Sequence, residues 1–204
     1  MRNREIVRLI RKIFTLCILP TSLILLLGTS AHGEASRRIG AAFHMNYYTF
    51  DPDYFGIENA LGAEIDLRYE LLWNIYFENR IGAFHSLSGG TSVGGLSYQL
   101  GLVAIFPVLI PYRPIARFGF GFLSSDPVTV TPTESFRPSQ TAFYIVVGGG
   151  ITRSIKENIV VEFNANLWAT PYRYRIYRFN RSSVEAENKQ FTHFGTSLGI
   201  LYIF

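Results

Sequence analysis

Apolar and polar residues alternate with a period of two along most of the chain after residue 37. The alternation is clearest at the end of the chain. One face there consists of Phe194, Thr196, Leu198, Ile200, Tyr202 and Phe204, and the other consists mostly of His193, Gly195, Ser197 and Gly199. Residues 61–69 and 159–167 alternate in the same way. Because successive side chains of a strand point to opposite faces, the pattern predicts strands with two unlike faces.

Eight such segments are present, and the links between them alternate in length. The predicted strands are residues 38–48, 61–69, 75–86, 96–106, 114–123, 141–153, 159–167 and 193–204. The long polar links are residues 49–58, 87–95, 124–140 and 170–190, and the short ones are residues 70–74, 107–113 and 154–157. The pattern predicts an all-β fold, an eight-stranded antiparallel up-and-down transmembrane β-barrel of the type found in bacterial outer membranes.

A soluble barrel has the same alternation with its apolar face inside, so the polar face must decide the orientation. Surfaces in contact with water are usually rich in lysine, yet only Lys156 and Lys189 follow residue 33, and both lie in or beside links. The polar face instead carries many glycines, which suit a narrow interior. They are Gly40, Gly62, Gly82, Gly101, Gly119, Gly121, Gly148, Gly195 and Gly199. We therefore expect the apolar face to contact lipid.

Residues 1–33 have the layout of a cleavable signal peptide. Several Arg and Lys residues precede an apolar run at residues 13–27, and small residues follow it. Cleavage after Gly33 would leave residues 34–204 as the barrel domain, and cleavage after Ala31 is an alternative. A retained membrane anchor is a further alternative, but the run is shorter than the roughly 20 residues that span a bilayer.

Removal of this segment changes the chemistry expected of the chain. The only cysteine, Cys17, leaves with it, so we expect no disulfide and no cysteine metal ligand. The formal charge of +4 falls to about zero, which gives no support to nucleic-acid binding. His44 and His193 share the polar face, but no third ligand follows a recognisable spacing, so we predict neither a metal site nor a cofactor.

The polar face encloses ionisable side chains if the apolar face contacts lipid. They are Glu64, Asp66, Arg68, Glu78, Arg80, Arg117 and Glu162. Because an unpaired charge withdrawn from water is costly, these groups must pair. In the second hairpin, one register sets Asp66 opposite Glu78, and another sets Arg68 opposite Glu78 and Asp66 opposite Arg80. Opposite charges favour the second register. We therefore predict a structural network that fills the lumen, rather than an open channel or an ion path.

Aromatic residues near the strand ends are typical of membrane interfaces. The set expected at the outer rim is Tyr47, Tyr48, Phe84, Phe122, Phe143 and Trp168. The set expected at the inner rim is Tyr69, Trp73, Tyr76, Phe106 and Tyr112. Ordinary packing inside the barrel is the alternative for any of these residues.

The C-terminal segment resembles that of the small outer-membrane barrel domains, the OmpA-, OmpX- and opacity-protein-like group. The likeness covers most of residues 34–204. Its most specific element is the alternating set Leu198, Ile200, Tyr202 and Phe204, which is similar to the signal read by the barrel-assembly machinery. The resemblance implies an outer-membrane location, contact with outer-membrane lipids and insertion by that machinery. No peptidoglycan-binding domain is expected after the last strand.

Some barrels of this size are lipid A-modifying acyl hydrolases, so the segment around His85 and Ser86 is a candidate catalytic pair. Alternation places these two side chains on opposite faces of a regular strand. A lipid A deacylase of the PagL-like kind would be expected to show His, any residue, then Ser-Asn, whereas here Leu87 stands at the serine position and Ser88 at the asparagine position. We therefore expect no enzymatic activity and keep the deacylase as an alternative.

The last long link offers a candidate surface contact, since it interleaves aromatic residues with Arg173, Arg175, Arg178 and Arg181. Arginine binds phosphate through two parallel hydrogen bonds, which favours lipopolysaccharide as a partner. A strand pair with solvated arginines that extends beyond the membrane explains the same residues. The overall prediction is an outer-membrane barrel with a structural or surface-interaction role and an unknown surface ligand. A narrow OmpW-like pore for small hydrophobic molecules remains an alternative.

Overall fold

The structure is a computed structural model in which eight strands form a closed antiparallel barrel. It describes residues 38–50, 59–86, 94–108, 111–125, 128–131, 134–138, 141–171, 174–179, 184–190 and 192–204. The barrel strands are β1 (Ile39–Phe50), β2 (Asn59–Leu72), β3 (Ile75–Ser86), β4 (Gly94–Ile105), β5 (Arg113–Ser125), β8 (Ala142–Lys156), β9 (Ile159–Ala169) and β12 (Thr192–Ile203). The fold class is therefore the one predicted from the alternation.

Four further strands form a separate sheet. They are β6 (Val128–Thr131), β7 (Glu134–Pro138), β10 (Tyr174–Phe179) and β11 (Val184–Lys189), and their order in the sheet is β11-β10-β7-β6. They belong to the links after β5 and β9. The strand pair that was one interpretation of the link after β9 is present as β10 and β11. The strands in the link after β5, and the pairing between the two links, were not predicted.

The barrel closes because β1 pairs with both β2 and β12, so no barrel strand is left with an unpaired edge. β2 and β3 are joined by a tight turn in which Asn74 has a φ of 62°, a conformation that asparagine tolerates well. The Asn74 backbone N–H donates to Glu70 Oε1 at 3.2 Å, which helps to hold the turn. No helix in the part of the chain that the structure describes is long and apolar enough to cross a membrane.

The apolar faces of the strands point outward and the polar faces point into the lumen. Ile65, Phe163 and Ile200 are 60%, 48% and 58% exposed, whereas Asp66, Glu162 and Gly199 beside them are buried. An apolar outer surface of this kind is unfavourable in water and suits hydrocarbon. The predicted orientation of the two faces is confirmed.

The lumen contains three layers of side chains. The layer near the long links is an aromatic and apolar cluster, the middle layer is ionic, and two small apolar clusters lie near the short turns. Glycines on the inward face make room for the larger groups: a Cβ on Gly82 would meet Glu64 Cγ at 2.7 Å, and one on Gly199 would overlap the His44 ring. The interior is therefore as narrow as the glycine pattern indicated.

Candidate functional site

The seven ionisable residues predicted to line the lumen lie on four strands and form the middle layer. They come from β2, β3, β5 and β9, and none is more than 3% exposed. The β2–β3 register sets Arg68 opposite Glu78 and Asp66 opposite Arg80. This is the register that opposite charges favoured in the sequence, so the predicted pairing is confirmed.

Arg68 connects carboxylates on three strands. Its two terminal nitrogens bind both oxygens of Glu162 across the lumen, at 2.6 and 2.7 Å. Its Nε donates to Glu78 Oε2 at 3.2 Å, and Nη2 also donates to Asp66 Oδ2 at 3.1 Å. A bidentate pair between guanidinium and carboxylate fixes direction as well as distance. Arg68 therefore ties β2 to β9, 94 positions away along the chain.

Arg80 and Arg117 complete the ionic layer. Arg80 donates to Glu64 Oε2 at 2.7 Å, to Asp66 Oδ2 at 3.1 Å and to Glu78 Oε2 at 3.2 Å. Arg117 donates to the same Glu78 oxygen at 3.0 Å. One oxygen of Glu78 thus accepts hydrogen bonds from three arginines, and three guanidinium groups face four carboxylates in a buried space.

His44 is a member of this layer that the sequence placed in the lumen but outside the predicted charge network. Its Nε2 lies 3.0 Å from Asp66 Oδ2 and 3.8 Å from Glu162 Oε2. Both side chains of the shorter contact are fully buried, so the imidazole and the carboxylate meet away from bulk solvent. The pairing of β1 with β2 places His44 directly opposite Glu64, and this register indicates that His44 belongs to the ionic layer.

An aromatic layer covers the ionic layer on the side of the long links. The Trp168 ring stacks on His193 with centroids 4.8 Å apart, and His193 also stacks on Phe50 at 5.0 Å. Tyr48 packs edge-on against Trp168, and its hydroxyl donates to Glu64 Oε1 at 2.8 Å. This hydrogen bond joins the aromatic layer to the ionic one.

Four of the aromatic residues predicted at the membrane interfaces lie elsewhere, so that part of the prediction was wrong. Tyr48, Phe84, Trp168 and Tyr76 are buried in the lumen rather than facing lipid. Strand parity could have shown this, since Tyr48 has the parity of His44 and Trp168 that of Glu162. Several other members of the predicted girdles are exposed, as expected. They are Tyr47, Phe122, Trp73, Phe106 and Tyr112.

No protein-family model matches the sequence, and no curated protein matches it either. Solved structures do match the fold. Neisserial surface protein A matches with a TM-score of 0.60 and 12% identity, over 85% of this chain and 100% of that one. A major outer-membrane protein of Thermus thermophilus matches with a TM-score of 0.54 and 12% identity, over 83% of this chain and 100% of that one. The outer-membrane protein AlkL matches with a TM-score of 0.56 and 16% identity, over 86% of this chain and 93% of that one.

This chain has the fold of the small outer-membrane β-barrels. The likeness at these identities concerns the fold, so it places no functional residue. In a barrel of this kind the short turns and both ends of the barrel domain lie on the periplasmic side, and the long links lie outside the cell. Both Ile39 and Ile203 lie at the short-turn end of this barrel. The four-stranded sheet lies at the opposite end, with the long links.

The candidate catalytic pair in this small outer-membrane barrel does not come together. His85 is exposed on the outer face of β3, whereas Ser86 is buried on the inner face. This agrees with the alternation of the strand. Leu87 and Ser88 lie outside the described residues.

The four arginines proposed for lipopolysaccharide contact fall into two groups. Arg175 and Arg178 lie on β10. Arg178 pairs in register with Glu185 of β11, and Arg175 pairs with Asn188. Arg173 and Arg181 lie outside the described residues.

The four residues of the predicted assembly signal all lie on the outer face of the last strand or directly after it. Leu198, Ile200, Tyr202 and Phe204 are exposed, and the rings of the last two pack edge-on with centroids 5.0 Å apart. The Phe204 backbone N–H donates to the carbonyl of Ile39 at 2.8 Å. The end of β12 is thereby held against β1 at the point where the barrel closes.

Proposed function

We propose that the protein is an integral outer-membrane barrel whose lumen is closed by paired side chains and whose role is structural or lies in contact at the cell surface. The observation that carries this proposal is the bridge between Arg68 and Glu162 across the ionic layer. A lumen filled by ion pairs and stacked rings leaves little space for solute, since an eight-stranded interior is only just wide enough for side chains.

Fractionation and electrical recording test this proposal. We expect the protein in the outer-membrane fraction, with a folded band on a gel that shifts on heating. We also expect purified protein in planar bilayers to give no steady conductance. A reproducible conductance step would favour the narrow pore, and recovery from the soluble fraction would contradict the barrel's membrane location.

Lipid A analysis tests the alternative that the protein is an acyl hydrolase. The separation of His85 from Ser86 onto opposite faces supports a non-enzymatic role. We expect the same lipid A acyl pattern in cells with and without the gene. A change of one acyl chain that depends on the gene would establish the hydrolase instead.

Lipopolysaccharide is the surface partner that the arginines of β10 favour in this proposal. A guanidinium group can bind a lipid A phosphate through two hydrogen bonds. Arg178 has Glu185 directly opposite, whereas Arg175 has the neutral Asn188. We therefore expect Arg175→Gln to reduce lipopolysaccharide co-purification more than Arg178→Gln does. If both variants and the Arg173, Arg175 and Arg178 triple variant co-purify as much lipopolysaccharide as the unaltered protein, lipopolysaccharide is not the partner of these arginines.

The same proposal includes how the protein reaches the outer membrane, through a signal peptide and a C-terminal assembly signal. Residues 1–33 would be removed as a signal peptide, and Leu198, Ile200, Tyr202 and Phe204 would be recognised by the barrel-assembly machinery. We expect sequencing of the protein isolated from outer membranes to begin at Glu34, or at His32 if cleavage follows Ala31. Isolation of a chain that still begins at Met1 would contradict the signal peptide.

A further inference from the structure

A cavity of about 280 Å³ opens at the short-turn end of the barrel, beneath the ionic layer. Two apolar clusters supply its walls. Val160, Leu201 and Ile203 line one side, and Tyr76 and Ile105 line the other. The cavity is large enough to hold a short apolar chain.

The inner end of the cavity is closed by Arg68. Each nitrogen of this guanidinium group donates to a carboxylate of the ionic layer, so the charge of Arg68 is already paired. The cavity is therefore a blind pocket rather than the start of a channel. Because the charge of Arg68 is already paired, the mouth is the better place for a charged group of a ligand.

The mouth of the cavity carries an excess of positive charge. Arg38, Arg113 and Lys156 line it, all three exposed, and none forms an ion pair with another residue that the structure describes. The one carboxylate among the described lining residues is Glu157. Glu70 lies nearby, and its two oxygens accept the backbone N–H groups of Arg38 and Asn74.

We propose that this cavity binds a single-chain anionic amphiphile, with the apolar chain between the two apolar walls and the acid group at the basic mouth. Apolar walls open to water favour an apolar occupant, because burial removes their surface from water. The unpaired cations favour an anionic head, which can form charge-assisted hydrogen bonds with Arg113 and a point-charge contact with Lys156. The proposed binding site lies at the periplasmic end of the barrel and is separate from the closed lumen above it.

Equilibrium binding to the full barrel in phosphatidylcholine nanodiscs tests the proposal. The probes are labelled octanoate, octyl phosphate and 1-octanol, and empty nanodiscs of the same lipid are subtracted. We expect saturable octanoate binding, and octanol binding at least about tenfold weaker because it lacks the charge. Comparison of octanoate with octyl phosphate separates a fatty-acid ligand from a phosphate-headed one. Absence of saturable binding by both anions, or equal binding of octanol, would overturn the proposal.

Two variants separate the cavity from the surrounding lipid surface. The Arg113→Gln, Lys156→Gln double variant should weaken octanoate binding at least about tenfold, and Val160→Trp should abolish it by filling the cavity. The control is Arg153→Gln at the same end of the barrel, because Arg153 bonds the Tyr112 hydroxyl and does not line the cavity. It should bind octanoate as the unaltered protein does. An equal loss with Arg153→Gln would assign the binding to the lipid surface and overturn the proposal.

A gel shift on heating shows which variants retain the barrel. The double variant changes only exposed residues, so it tests the proposal even if Val160→Trp does not fold. Unchanged octanoate binding by a folded double variant would contradict the proposal that the basic residues at the mouth bind the acid group.

Discussion

Arg68 combines full burial with hydrogen bonds to three carboxylates. Desolvation of the charges offsets much of the attraction within a buried ion cluster, so the intact network adds little net stability. Removal of one member has a different effect, because its partners then remain as buried, unpaired charges. The contribution of this layer is therefore best measured by breaking it at its most connected residue.

We predict that Arg68→Met lowers the free energy of unfolding by about 3–5 kcal/mol. The methionine keeps much of the side-chain volume but leaves Glu162 without either of its bonds to Arg68. Denaturant titration of the barrel in lipid vesicles measures the change. The control is Arg38→Met, an exposed arginine at the barrel end, which should alter the value by no more than about 0.5 kcal/mol. A similar small effect for Arg68→Met would contradict the importance of the network.

Gly199 and His44 should be energetically coupled. A Cβ on Gly199 would overlap the His44 ring and push it away from Asp66. We expect Gly199→Ala to destabilise the barrel in the presence of His44, and much less in a His44→Ala background, where the ring is gone. A double-mutant cycle should give a coupling of about 1 kcal/mol or more. Additive effects would show that the ring moves aside without cost.

The sequence predicted the barrel strands because the same feature controls both pattern and structure. A strand with lipid on one side and a narrow lumen on the other must alternate, and β3 (Ile75–Ser86) begins and ends as predicted. The charges then selected the register, since only one alignment sets Arg68 opposite Glu78. The order of the strands followed from the alternating lengths of the links.

The parts that the sequence did not predict depend on contacts between distant segments. β6 (Val128–Thr131) is rich in β-branched residues and pairs with the neighbouring β7. No local pattern shows that β7 then pairs with β10, which lies in a different link. The aromatic layer was missed for another reason. Tyr48 and Trp168 lie near strand ends, which is typical of the lipid interface, but their parity along the strands places both side chains in the lumen. The bridge of Arg68 to Glu162 spans the lumen, and pairing between neighbouring strands does not reveal it.

The register of the β2–β3 hairpin leads to a prediction about charge reversal. Glu78→Lys places a fourth cation among Arg68, Arg80 and Arg117, which all bond Glu78 in the structure. We expect the folded band on a gel to unfold at a clearly lower temperature, because like charges then face each other in a buried layer. Glu157→Lys in the exposed turn before β9 is the matched control and should leave the temperature unchanged. Equal behaviour of the two variants would contradict the pairing.

At the scale of the whole barrel, the aromatic and ionic layers close the lumen in series. A current through the barrel must pass both layers, so removal of one should leave the other in place. The two layers touch through the hydrogen bond from Tyr48 to Glu64, but the ion pairs of Arg68 and Arg80 do not depend on the rings. The ionic layer should therefore keep the barrel closed by itself.

We predict that the Tyr48→Ala, Trp168→Ala double variant remains without steady conductance in planar bilayers, although it removes two large rings from the outer layer. Adding Arg80→Ala should produce brief conductance steps, because Glu64 then loses its ion pair and repels Asp66 and Glu78. The gel shift on heating confirms that each variant is folded before recording. Steady conductance in the aromatic double variant alone would show that the rings, rather than the ion pairs, close this barrel.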